Sequence, residues 1–425
     1  MFRHKTFLLL FLYGSMLINL QGQNLPYAKS LIKTLCSDAL SGRGYVNKGD
    51  QLAAELIRKE FTKHKLIPLG ENYFQSLGFP VIYYPEQVRL EIDGFYIEPG
   101  EDFIVNPGCP SIYGTYKLIH LDSAGIDNSS VYKKLESRNL KSYFLVVDAL
   151  KDKKVLHPER IKEVLKNALG AKGLIYLNQE TLTWGVSMEW APFPILYVKK
   201  DTYKQLALQI TCTIEAAHKV HGTQNILGYI KGKQQPDSFI VITAHYDHLG
   251  MMGKDAIFPG ANDNASGVAM MLDMARHYAL NPPSWSVLFI AFAGEEIGLA
   301  GSYYFVQNPV IPLKQMCLLL NLDLMATGDK GLTAVNATEF PELFEKLKFC
   351  NNIGNYLPTI NPRGKAQNSD HYFFTEAGVP AFFFYLMGEY HQYHDVGDKA
   401  SAITLSRYPE AFQLIVDFAN MRMGR

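Results

Sequence analysis

The chain has 425 residues, 48% of them hydrophobic, which is enough for two or three domains with buried cores. Its 41 Lys and Arg residues balance 41 Asp and Glu residues. This zero formal charge gives no electrostatic basis for binding nucleic acid or an anionic membrane surface, so neither is expected as a partner.

The N-terminus has the pattern of an export signal. Arg3, His4 and Lys5 precede an apolar stretch over residues 7–20, and small and polar residues follow from Gly22. The stretch is short for a membrane-spanning helix, which needs about 20 residues. Residues 1–22 therefore predict a signal peptide that is cleaved near Gly22, and a secreted or periplasmic protein without a membrane anchor.

The next two stretches differ in the secondary structure that their sequence patterns predict. Residues 23–80 predict a helical N-terminal part, with Leu52, Leu56 and Ile57 at helical spacing in the segment 51–66. Residues 81–220 predict a smaller β-rich inserted domain. Short β-type runs lie there at 116–121, 142–147 and 173–177, separated by turn residues.

Residues 221–425 alternate strands and helices. Apolar strands are predicted at 238–244, 287–293, 317–322 and 380–386, and helices at 268–278 and 405–423. Strands that are apolar throughout are typical of a sheet covered on both faces. The predicted fold class is therefore α/β, with a mixed, mostly parallel sheet flanked by helices and the β-rich domain inserted.

Histidine and carboxylate residues follow these strands. The positions concerned are His245 and Asp247, Glu295 and Glu296, Asp323, and His394; Asp263 lies just before a predicted helix. Any one of them alone would more often be a helix cap, a turn residue or a solvated side chain. Sites in α/β sheets form outside the carboxyl ends of the strands, so their recurrence there indicates one functional site.

Imidazole and carboxylate groups without thiolates suit zinc, manganese or cobalt. Two His and three carboxylates can hold a pair of metals that share one carboxylate, and a further carboxylate is then needed as a base. Glu295 and Glu296 are adjacent, so one as ligand and the other as base is a sensible division. Asp247 and Asp398 are candidates to orient the imidazoles of His245 and His394.

Six segments resemble the two-zinc aminopeptidase family, which has glutamate carboxypeptidases and glutaminyl cyclases as relatives. They are HYDHLG (245–250), GANDNASG (260–267), AFAGEEIGLAGS (291–302), NLDL (321–324), SDHYFFTEAGVPA (369–381) and YHDVGDK (393–399). The order of the motifs is that of the family. The stretches 170–176 and 192–198 resemble a protease-associated domain, and 37–43 resembles the lead-in segment of secreted members.

The resemblance implies a zinc exopeptidase-like fold and two zinc ions per chain. It implies that His245 and Asp323 bind one ion, that Glu296 and His394 bind the other, and that Asp263 bridges them. It also implies that Glu295 is the general base and that Asp247 orients His245. His248, His371 and His391 are given no metal; they are expected to support loops or substrate.

The expected activity is removal of N-terminal residues from peptides. A glutaminyl cyclase-like acyltransferase, a carboxypeptidase and a non-catalytic domain of the same fold stay open as alternatives. The side-chain preference, the disulfide pairing, the oligomeric state and the role of the insert are not readable from the sequence.

Overall fold

The computed structural model describes residues 22–148, 156–178, 181–203 and 206–424. Apart from Gly22, the predicted signal peptide lies outside these residues and stays a prediction. Within the described ranges, no helix is both long enough and apolar enough to cross a membrane.

The described residues form ten α-helices and nineteen β-strands. The helices are α1 (Leu25–Leu35), α2 (Gly49–Lys63), α3 (Ser123–Asp127), α4 (Ser129–Glu136), α5 (Pro158–Leu165), α6 (Gly267–Leu280), α7 (Ala300–Gln307), α8 (Pro341–Gly354), α9 (His371–Glu376) and α10 (Tyr408–Arg422). The strands are β1 (Ile67–Pro68), β2 (Phe74–Tyr83), β3 (Val88–Ile92), β4 (Phe95–Ile97), β5 (Phe103–Val105), β6 (Ile112–Leu121), β7 (Tyr143–Val147), β8 (Gly173–Asn178), β9 (Ile195–Lys199), β10 (Gln209–Ile214), β11 (Ala217–Ile230), β12 (Gln235–His245), β13 (Gly250–Met252), β14 (Ala256–Phe258), β15 (Trp285–Phe292), β16 (Met316–Leu322), β17 (Gly331–Val335), β18 (Ile360–Arg363) and β19 (Ala381–Met387). Short 3-10 turns lie at Asp38–Arg43 and Leu313–Gln315, and an irregular turn at Ala261–Ser266.

The larger sheet has nine strands in the order β1-β11-β15-β12-β16-β19-β17-β18, with β2 paired to β11. Its centre is parallel, because β15, β12, β16 and β19 run in the same direction. β11 and β17 pair antiparallel with the outer members of this block. The carboxyl ends of the central strands therefore meet at one edge of the sheet, as the predicted mixed α/β class requires.

Apolar side chains cover both faces of this sheet. Along β12, Ile240 and Ile242 face one core, which α1, α2, α6 and α10 complete. Phe239 and Val241 alternate with them and face a second core. The helix α6 is buried almost all round, which is typical of a helix enclosed within a domain.

The second sheet has eight strands in the order β4-β3-β10-β6-β7-β8-β9-β5. Its strands β6 to β9 are parallel and the rest are antiparallel. The two sheets meet around the ribbon β13-β14, since Met252, Ala256 and Phe258 belong to the core of the second sheet.

The predicted elements of the larger sheet are present, with ends shifted by a few residues. The end of the stretch expected to be helical, residues 74–80, instead belongs to strand β2, because β2 pairs along its whole length with β11. The proposed domain limits at 80/81 and 220/221 fall inside these two paired strands. The division into domains stays a prediction.

Candidate metal centre

Three neighbouring strands carry the polar side chains of the site. His245 is the last residue of β12, Glu295 and Glu296 follow β15, and Asp323 follows β16. Because β15, β12 and β16 are parallel and hydrogen-bonded side by side, these residues emerge at the same edge of the sheet. His394 reaches that edge from the segment between β19 and α10.

The fifth predicted ligand, Asp263, lies in the irregular turn between β14 and α6. Its backbone N–H and that of Asn262 donate to the carboxylate of Asp398, at 3.1 and 2.8 Å. The amide of Asn264 donates to the backbone oxygen of Leu322 at 2.9 Å. The turn is thus fastened on both sides of Asp263, and the peptide bond between Asp263 and Asn264 is cis.

One group of donor atoms consists of His245, Asp263 and Asp323. The Nε2 atom of His245 lies 3.3 Å from Oδ1 of Asp263 and 3.4 Å from Oδ1 of Asp323. All three side chains are nearly inaccessible to solvent. The donor atoms of the group lie within 4.8 Å of one another, which is compact enough to hold one metal ion.

A second group consists of Asp263, Glu296, His394 and His248. The Nε2 atom of His394 lies 3.0 Å from Oδ2 of Asp263 and 3.2 Å from Oε2 of Glu296. Asp263 thus presents one carboxylate oxygen to each group. The structure brings together all five residues that the sequence predicted as ligands.

The charges in this site perturb both predicted imidazole ligands. Burial alone would lower the pKa of His245, but the carboxylates of Asp323 and Glu295 raise it well above its usual value. Burial likewise opposes a charged His394, yet Glu296 and Asp263 raise its pKa to about 11. The surplus of carboxylates attracts positive charge, which a bound cation supplies in place of the imidazole protons.

The adjacent glutamates differ in their electrostatic surroundings. Burial, reinforced by the carboxylates of Glu296 and Asp370, raises the pKa of Glu295 well above its usual value. Burial would also raise the pKa of Glu296, but His394 and His248 lower it to about 2. Glu295 is therefore suited to take up a proton, whereas Glu296 stays ionised.

Unpartnered buried atoms support the fit of a metal. Among the described residues, Oδ1 of Asp323 and Nε2 of His248 are buried without a hydrogen-bond partner. Native interiors rarely leave such atoms unsatisfied without an unplaced ion or water. Oδ2 of Asp323 is held by the Ser369 hydroxyl at 3.0 Å, which leaves Oδ1 directed at His245.

Asp247 supports the site from behind the strand ends. Its carboxylate accepts hydrogen bonds from the Tyr45 hydroxyl at 2.7 Å and from the backbone N–H groups of Glu295 and Glu296 at 3.2 and 3.4 Å. Its Oδ1 lies 3.8 Å from Nδ1 of His245, whose nearer partner is the backbone oxygen of Asp247 at 3.2 Å. Asp247 thus touches His245 and also fixes the turn that carries both glutamates.

Asp398 has a different place from the one the sequence suggested. We expected it behind His394, but its carboxylate accepts hydrogen bonds from the Asp263 turn and from the Tyr390 hydroxyl at 2.7 Å. The Nδ1 atom of His394 instead lies 3.2 Å from the backbone oxygen of Trp184. Sequence spacing of four residues did not place Asp398 there, because the segment carrying His394 is not helical.

A cavity of about 220 Å³ opens beside the two groups. Its lining includes Glu295 and Asp323 together with the aromatic side chains of Phe383, Tyr385 and Tyr393. Tyr393 stacks on His394, with ring centroids 4.0 Å apart. Burial and the nearby carboxylates raise the pKa of Tyr393, so its hydroxyl is a neutral donor at the cavity wall.

Sequence reasoning gave Tyr393 and Asp370 no role in this site, and it expected His248 only to support loops or substrate. His248 is fully buried and contacts Glu296, Tyr393 lines the cavity, and Asp370 is a further buried carboxylate near Glu295. Burial raises the pKa of Asp370 to about 7. All three lie inside the quoted motifs, so their nearness to predicted ligands was the available signal. Of the other two histidines, His371 is buried and His391 is exposed.

Comparison with known proteins identifies the class of this site. Residues 225–419 match the sequence model of Peptidase family M28. This match confirms the predicted family resemblance for the stretch that carries all five predicted ligands.

Curated relatives share this stretch. Aminopeptidase YwaD of Bacillus subtilis (strain 168) is 37% identical over 176 residues, which cover 39% of this chain and 37% of the relative. A probable zinc metalloprotease of Pyricularia oryzae is 38% identical over 111 residues, or 25% of this chain and 22% of the relative. The chain thus spans well under half the length of these relatives.

Solved structures share the whole architecture. A zinc aminopeptidase from Bacillus subtilis superposes with a TM-score of 0.69 at 22% identity, covering 93% of this chain and 94% of that one. A Peptidase M28 precursor from Shewanella amazonensis SB2B gives 0.68 at 17% identity and covers 94% of each chain. At these identities the likeness establishes the fold, including the presence of the second sheet.

Proposed function

We propose that this protein is a zinc-dependent aminopeptidase that holds two zinc ions per chain and removes N-terminal residues from peptides. One observation carries the proposal: Asp263 presents an oxygen to each of two compact His and carboxylate groups at the sheet edge. The Peptidase family M28 match and the aminopeptidase and zinc metalloprotease names of the relatives support the same activity.

His245 and Asp323 would hold one ion, Glu296 and His394 the other, and Asp263 both. When bound, such a pair polarises a substrate carbonyl and lowers the pKa of a water. The chain's own residues supply the remaining steps. Glu295 faces the cavity, where its carboxylate accepts a proton and returns it to the leaving amine nitrogen. Tyr393 also lines this cavity, and its hydroxyl would donate a hydrogen bond to the substrate carbonyl oxygen.

The test combines metal content with a screen of aminoacyl-anilide substrates. We expect about two zinc ions per chain, and hydrolysis that chelation abolishes and added zinc restores. Asp263→Ala is expected to lose zinc and activity together. Glu295→Gln is expected to keep its zinc while kcat falls by about 10²- to 10⁴-fold. Glu345→Gln, which changes an exposed glutamate on α8, is the matched control.

Other outcomes would contradict the proposal in distinct ways. One zinc ion per chain, with pyroglutamate formed from N-terminal glutamine, would indicate the cyclase activity. Release of C-terminal residues from N-acetylated peptides would indicate a carboxypeptidase. A chain that binds no zinc and hydrolyses neither kind of peptide would support the non-catalytic alternative.

Export is part of the proposal. If residues 1–22 are a cleaved signal peptide, the N-terminal sequence of protein recovered from the exported fraction should begin close after Gly22. A chain recovered there with Met1 intact would contradict cleavage.

A further inference from the structure

His394 lies in a part of the chain that needs outside support. It belongs to the segment between β19 and α10, which has little regular structure. Its backbone φ is 54°, in the left-handed region that residues other than glycine rarely adopt. Such a conformation persists where the surroundings hold it in place.

The peptide groups of Trp184 provide this support. The backbone N–H of Trp184 donates to the backbone oxygen of His394 at 2.8 Å. The backbone oxygen of Trp184 lies 3.2 Å from Nδ1 of His394. A carbonyl oxygen can only accept, so Nδ1 carries the proton. Nε2, which faces Asp263 and Glu296, is then left with its lone pair for a metal.

Trp184 is itself firmly placed by the second sheet. It lies in the connection between β8 and β9, and 6% of its surface is exposed. Its indole N–H donates to the backbone oxygen of Val105 in β5 at 2.9 Å. Its ring stacks on Phe258, with centroids 4.8 Å apart and planes 28° apart. Phe258 ends β14, five residues before Asp263. Trp184 therefore contacts both His394 and the strand that leads to Asp263.

We propose that Trp184 is a positioning residue for His394, and that the second sheet thereby helps to build the metal centre. The identity of the ion as zinc rests on the proposed function, whereas the positioning role rests on the contacts of Trp184. The second sheet fixes the tautomer and direction of a ligand whose own segment cannot do so. Removing a comparable partner of a metal-binding His weakens metal affinity by about 10- to 100-fold.

The test measures zinc affinity by competition with a chromophoric chelator, without substrate. Trp184→Ala keeps the backbone groups that contact His394 but removes the indole that places them. It is therefore expected to bind one of its two zinc ions about 10-fold more weakly, the lower end of the effect of removing such a partner outright. Trp184→Phe retains ring packing against Phe258 and is expected to recover most of the affinity. Trp190→Ala is the matched control, because it removes a half-exposed tryptophan from the same connection and should leave both affinities unchanged.

A double-mutant cycle separates positioning from general destabilisation. If Trp184 acts through His394, Trp184→Ala should weaken zinc binding no further in a His394→Ala background. An equal loss in both backgrounds would overturn the inference. A nitrogen-15 spectrum of the zinc-loaded wild type adds a test that needs no folded variant at position 184. A protonated Nδ1 on His394 is expected, and a protonated Nε2 would overturn the inference.

Failure of this inference can be distinguished from failure of the proposed function. A wild-type chain with two zinc ions and unchanged affinities in a folded Trp184→Ala variant would overturn the inference alone. A wild-type chain that binds no zinc would overturn both.

Discussion

His248 contacts the carboxylate of Glu296, a predicted ligand, and should fix the orientation of that carboxylate. Its Nδ1 lies 2.7 Å from Oε1 of Glu296, while Oε2 of the same carboxylate faces His394. A carboxylate only accepts, so His248 is the donor, and it fixes which oxygen of Glu296 points into the site. It is therefore a positioning residue for the second group of donors.

We expect His248→Ala to weaken the binding of one zinc ion by about 10- to 100-fold, because Glu296 would be free to rotate. Competition with a chelator measures the change. His391→Ala, which changes an exposed histidine near the same segment, serves as the control. Equal zinc affinity in the two variants would show that Glu296 needs no such support.

Arg43 is a buried cation that uses all five of its N–H donors on backbone oxygens. Its Nε donates to Tyr246 at 2.8 Å, and its other donors contact Leu35, Pro259, Gly260 and Asp263 at 2.6 to 3.3 Å. The guanidinium thereby joins the lead-in turn at Asp38–Arg43 to the turn that carries the predicted bridging ligand. A lysine has three donors on a flexible stem and cannot match this fork.

Arg43→Lys is therefore expected to lower the free energy of unfolding by about 3 kcal/mol, since at least two charge-assisted hydrogen bonds are lost. Denaturant titration of the zinc-free protein measures the loss without a contribution from metal. Arg407→Lys, at a half-exposed arginine paired with Glu410, should change it by less than about 1 kcal/mol. Equal stabilities in these two variants would contradict the assigned role.

The limits of residue-level prediction follow from local backbone geometry. The positions of the strand ends correctly predicted that His245, Glu296 and Asp323 lie close together, because residues that follow neighbouring parallel strands emerge at the same edge of the sheet. Strand alternation then placed Asp247 on the face of His245 but gave His248 no specific partner. β12 ends at His245, however, and the irregular segment that follows directs His248 back towards Glu296.

At the scale of elements, α1 and α2 are joined by a polar cluster centred on Glu60. The hydroxyl of Tyr27 donates to Glu60, and Lys63 donates to the same carboxylate at 2.9 Å. Burial alone would raise the pKa of Glu60, but hydrogen bonds from His64, Tyr27 and Lys63 lower it to about 2. The cluster fastens the first helix to the second beside the core of the larger sheet.

This lowered pKa predicts an acid-dependent loss of stability. The folded-state pKa is below the unfolded value of 4.5, so the stabilisation is complete above about pH 4.5 and is lost as the pH falls towards 2. Between pH 5 and pH 3 we expect the wild type to lose roughly 1 kcal/mol more than Glu60→Gln, after allowance for solvent screening.

Denaturant titrations of the zinc-free proteins at the two pH values give this difference. Glu55→Gln, at an exposed glutamate of the same helix, should lose as much stability as the wild type. If Glu60→Gln does so too, the cluster contributes no acid-dependent stability.

Element prediction succeeded where burial dictates the sequence. β12, β15 and β16 are apolar along most of their length because both of their faces are covered. β2 was missed, since it alternates exposed and buried residues irregularly and draws its stability from pairing with β11, over a hundred residues away in the chain. The contact of Trp184 with His394 could not be predicted from the sequence, because it joins the His394 ring to a backbone oxygen 210 positions away.

At the scale of the whole molecule, the metal centre links segments from both sheets. Its predicted ligands come from three strand ends, one turn and the segment between β19 and α10. Arg43 joins the centre to the N-terminal region, and Trp184 joins it to the second sheet. Without metal, the same centre concentrates the carboxylates of Asp263, Glu295, Glu296 and Asp323 in one place. Bound zinc should therefore stabilise the entire fold and not one loop.

A ligand that binds only the folded state stabilises it by about 2.7 kcal/mol when present at 100 times its dissociation constant. Chelation should therefore lower the Tm of the wild type by several degrees, and stoichiometric zinc should restore it. In Asp263→Ala, which lacks the shared ligand, chelation should change the Tm much less. Trp184 connects the second sheet to His394. Chelation should therefore shift the unfolding transitions of the second sheet and of the larger sheet together in the wild type. A Tm indifferent to chelation, in a chain that does bind zinc, would show that the unfolded chain binds the ions as tightly as the folded chain does, and would contradict a site built by the fold.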